Sequence, residues 1–79
     1  MKVKYKDIKH DMFLNCAVAL ETAIKYYDGE IDKQFLNKIA ETTVENFQEF
    51  YEIDMRKSVM VEDMRWYLKG KLFILEEQE

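Results

Sequence analysis

A mainly α fold, three helices packed into one small domain, follows from three features of this sequence. There is no proline and there are only two glycines in 79 residues, too few for the many tight turns of an all-β fold. Apolar residues recur at helical spacing in three separate stretches. Hydrophobic residues make up 48% of the chain and aromatics 14%, enough for a core and too much for a disordered tail. At this length the core is modest and the expected stability marginal.

Residues 1–7 read as a basic arm or a short strand, because Lys2, Lys4 and Lys6 alternate with Val3 and Tyr5. A first helix is expected over residues 11–27, with Asp7 or Asp11 as its N-cap. Steps of about 100° per residue put Met12, Cys16, Leu20, Ala23, Ile24 and Tyr27 on one face, flanked by Phe13 and Ala17. Leu14 and Val18 point the other way, beside Glu21 and Lys25. A helix apolar on a second side presents a further contact surface, so these two are the expected self-association residues of a homodimer. Asp28-Gly29 supplies the stop, with Gly29 suited to a left-handed C-cap.

Asp32 is the expected cap of a second helix over residues 33–51. Leu36, Ile39, Ala40, Thr43, Val44, Phe47, Phe50 and Tyr51 share an arc of roughly 140°. Opposite them Glu41, Glu45, Glu49 and Glu52 stack into one acidic stripe, with Lys38 the only cation near enough in sequence to offset it. Residues 52–57 read as a break. Ser58 can cap a third helix over residues 59–69, whose apolar face is Met60, Val61, Met64, Tyr67 and Leu68. Trp66 falls on the opposite side with Glu62, Asp63, Arg65 and Lys69. Residues 71–75 are expected to form a strand pairing with Val3 and Tyr5, a two-stranded addition that would make the fold α+β. The alternative is a helix continuing through Gly70 along Leu68, Leu72 and Leu75.

The segment Asp28-Gly29-Glu30-Ile31-Asp32 resembles the middle of a calcium loop, with glycine at the turn. The flanking ligand positions fall on Ile24, Tyr26 and Phe35, which carry no carboxylate, so calcium is not expected. His10 and Cys16 are the only histidine and the only cysteine, and on one helix they lie about 9 Å apart along the axis and about 120° around it. They form neither a nucleophile–base pair nor a zinc site. Paired carboxylates do catalysis only in unequal, enclosed environments, and the glutamate stripe lies opposite the apolar face. No phosphate loop or dinucleotide fingerprint is present. Neither an enzyme, a metal nor a cofactor is expected.

The formal net charge of −4 argues against a dedicated nucleic-acid-binding domain. Its distribution is uneven. Residues 1–10 hold four lysines, residues 28–54 hold eight acids against Lys33 and Lys38, and residues 56–71 hold five cations against two acids. Glu76, Glu77 and Glu79 make the tail acidic. The longest apolar run, Cys16 to Leu20, cannot span a membrane, and the basic N-terminus lacks the apolar stretch of a signal peptide. One cysteine allows no internal disulfide, so a cytoplasmic location is expected.

The function expected from these features is that of a non-catalytic acidic protein–protein interaction module: an adaptor, regulator or inhibitor. Its binding residues would be Glu41, Glu45, Glu49 and Glu52, facing a basic protein, together with Trp66 and Arg65, residue types enriched at interface hot spots. A specific form is a DNA mimic whose carboxylates occupy a phosphate-binding groove. Small size and richness in lysine, glutamate, isoleucine and tyrosine suit a phage or mobile-element protein. The alternative is a nucleic-acid-binding regulator using the basic arm and residues 65–71, where basic and aromatic side chains interleave.

Overall fold

The structure, a computed structural model, describes residues 2–77; Met1, Gln78 and the tail residue Glu79 lie outside that range. The order of elements is β1 (Lys2–Lys4), α1 (Tyr5–Tyr26), α2 (Lys33–Phe50), β2 (Glu52–Asp54) and α3 (Lys57–Glu77). The described chain is 80% helical, a mainly α domain with one short β pairing.

α1 starts well before Asp11. Lys4 stands at its N-cap without a side-chain bond, so neither Asp7 nor Asp11 caps it. The physical reason is burial: Tyr5, Ile8, Met12, Cys16 and Leu20 form one continuous buried stripe. A missing cap costs about 1 kcal/mol, less than burial of one large side chain returns. At the other end the Tyr27 amide bonds to the Ala23 carbonyl at 2.8 Å. Gly29 is not a left-handed cap, since no described residue has a positive φ. Its role is clearance. A Cβ there would lie 2.5 Å from the Tyr27 ring, which is folded over this glycine with its centroid 4.8 Å from that of Phe35.

Asp32 caps α2 as the sequence predicts: its Oδ1 accepts the Phe35 amide at 2.9 Å. The buried face is Leu36, Ala40, Thr43 and Val44. Phe50 and Tyr51, expected on that face, project beyond the end of the core and are exposed. The supposed break then contains a strand. β1 and β2 pair in parallel, with Lys2 opposite Glu52, Val3 opposite Ile53 and Lys4 opposite Asp54. The half-buried Val3 and Ile53 pack on the core, while the outward positions match lysine with carboxylate. The helical hairpin α1–α2 forms the long crossover that a parallel pair requires.

Residues 71–75 are helical, which corrects the expectation of a C-terminal strand. α3 begins at Lys57, so Ser58 lies inside it, and the Arg56 carbonyl accepts the Met60 amide at 3.2 Å. The helix continues through Gly70 because Leu68 is buried and Leu72 and Leu75 pack against the core. A helical glycine costs about 1 kcal/mol relative to alanine. Burying each leucine returns about 1.5–3 kcal/mol when complete, so the apolar stripe decides.

α1 and α3 run parallel, as their contacts rise together: Lys9 with Asp63, Phe13 with Tyr67, Glu21 with Lys71. α2 runs antiparallel to both. The resulting rod measures 42 × 19 × 17 Å. Its centre is Met12, Cys16, Leu20, Ala40, Val44, Met60, Met64 and Leu68, all without solvent exposure. Near the strands the Tyr5 hydroxyl donates to Asp63 Oδ2 at 2.9 Å, and the Phe13 and Tyr67 rings stack at 4.4 Å. Among the described residues no helix is long and apolar enough to cross a membrane.

Candidate interaction surface

α3 carries two apolar faces. Met60, Met64 and Leu68 point inward at four-residue intervals. Trp66 follows Met64 by two residues, a rotation of about 200°, and so points to solvent; it is 60% exposed. Phe73, seven residues further and on the same side, is 65% exposed. The sequence places Trp66 correctly and misses Phe73, because its partnership with Trp66 depends on the helix passing through Gly70.

Between this outer face and the start of α2 lies an open groove of about 520 Å³. Its apolar lining is Ile31, Leu36, Trp66, Leu72 and Phe73. Lys33, Arg65 and Lys69 supply positive charge, and Asp32 and Glu76 negative. The Asp32 carboxylate already caps α2. The Lys69 ammonium lies 5.1 Å from the centroid of the Trp66 ring, a cation–π arrangement. Arg65 has Glu62 at 4.0 Å, the outer limit of an ion pair. The groove is thus apolar and slightly positive on a molecule whose net charge is −4.

The acidic stripe is broken up. Asn37 donates to Glu41 at 2.7 Å. Lys57, brought in by α3, bonds Glu45 at 2.7 Å; that bond and the lysine's charge, with a smaller contribution from Lys38, hold the Glu45 carboxyl below the usual carboxylate range. Helical spacing could not reveal Lys57, since it arrives from another element. Glu49 stays on exposed α2, whereas Glu52 belongs to β2 rather than to the helix. Neither has an ion pair among the described residues. They flank three exposed apolar side chains, Phe50, Tyr51 and Met55, of which Phe50 is 80% exposed.

The basic segments are partly neutralised. Lys2 lies 3.9 Å from Asp54, Lys9 3.6 Å from Asp63, and Lys71 3.6 Å from Glu21. Leu14 and Val18 are exposed on the outside of α1, as the sequence predicts, Val18 by 63%. Cys16 is fully buried, and burial pushes its thiol up while the Thr43 hydroxyl beside it pulls the other way. His10 is exposed, so the two share no surface. Among the described residues no three His, Cys, Asp or Glu side chains converge in a manner that could hold a metal. No protein-family model, curated protein or solved structure matches the chain.

Proposed function

We propose that this protein is a non-catalytic protein–protein interaction module, an adaptor, regulator or inhibitor, whose primary binding surface is the outer face of α3 around Trp66 and Arg65. One observation carries this: two large aromatic side chains, Trp66 and Phe73, stand in solvent beside an apolar groove although the same helix already fills the core with its other face. Exposed aromatics next to an arginine, in a concave apolar setting, are what interface hot spots are made of. Glu49 and Glu52, which have no ion pair among the described residues, favour a basic surface on the partner next to that end of α2. A DNA-mimic version would rest on those two carboxylates, since Glu41 and Glu45 are bonded to Asn37 and Lys57.

The test is capture of partners from the native host with the wild type, with Trp66→Ser, and with Glu45 and Glu49 both changed to lysine. Loss of a captured protein with Trp66→Ser, in a variant of unchanged helicity, is the expected outcome. An identical captured set for wild type and both variants contradicts the proposal. Binding of a labelled DNA duplex, steeply weakened by salt, would instead support a nucleic-acid-binding regulator using the basic strand and residues 65–71.

A further inference from the structure

We draw no further inference here: the strongest candidate, the open apolar groove between the start of α2 and the outer face of α3 at Trp66 and Phe73, belongs to the surface already described, and nothing in the structure shows what covers it.

Discussion

α2 and α3 pack on each other, yet they distribute their apolar residues differently. Over most of its length α2 is one-sided: Leu36, Ala40, Thr43 and Val44 face the core, and the opposite side is glutamate, asparagine and threonine. α3 is two-sided, with Met60, Met64 and Leu68 buried and Trp66, Phe73 and Ile74 exposed. A three-helix bundle needs one apolar stripe per helix. The second stripe of α3 is thus more apolar surface than the bundle itself requires, and the proposed function rests on it.

The comparison makes its largest prediction for the inner face. Leu68→Ala should cost about 2–5 kcal/mol, because the residue is fully buried and its neighbours can only partly collapse. In a domain this small that approaches the whole stability, so urea denaturation should show a greatly lowered midpoint or an unfolded chain. Trp66→Ser on the outer face should leave the midpoint nearly unchanged. Comparable losses from the two substitutions would erase the distinction between the faces.

A smaller effect is expected where α3 is latched to α1. Tyr5→Phe removes the hydrogen bond to Asp63 and should cost about 1 kcal/mol in chemical denaturation. Burial first, then the bond to the Asp63 carboxylate and its charge, raise the Tyr5 phenol above its ordinary value. Because the folded state holds the proton more tightly than the unfolded one, this stability is complete below about pH 10 and lost as pH climbs above it. Wild type should therefore lose stability faster than Tyr5→Phe in alkaline thermal melts.

Gly70 sharpens the comparison from the other side. Its backbone is not left-handed, and a Cβ there would meet nothing within 4 Å. Gly70→Ala should stabilise the domain by about 1 kcal/mol or slightly less. A destabilised variant would show that the helix bends or is contacted at this point. The smallest effect belongs to Glu45→Gln. The ion pair with Lys57 is exposed to solvent, so its loss should leave the denaturation midpoint within error.

Much of the fold is legible in the sequence because helices announce themselves locally. The stripe through Met12, Cys16 and Leu20, the Asp32 cap and the outward turn of Trp66 all follow from spacing. The strand β2 is not legible: Glu52–Asp54 is three residues long, and only its pairing with Lys2–Lys4, which brings Val3 and Ile53 side by side on the core, gives it a partner. The helical fate of residues 71–75 hid for a related reason, since a glycine weakens the local signal while the deciding burial of Leu72 and Leu75 is tertiary. The same holds at the surface. Lys57, the cation that bonds Glu45, is remote from it in sequence, and Phe73 falls in the expected strand when the third helix is ended before Gly70.

The claim that the outer face of α3 is a binding surface can be tested in the native host with a photo-crosslinking amino acid, benzoylphenylalanine, in place of Phe73. Irradiation should give one or a few discrete adducts, to another protein or to a second copy, and Trp66→Ser should abolish them. The same crosslinker at Thr42, exposed on the polar side of α2, should give none. Adducts that survive Trp66→Ser, or an absence of adducts from position 73, would contradict the claim.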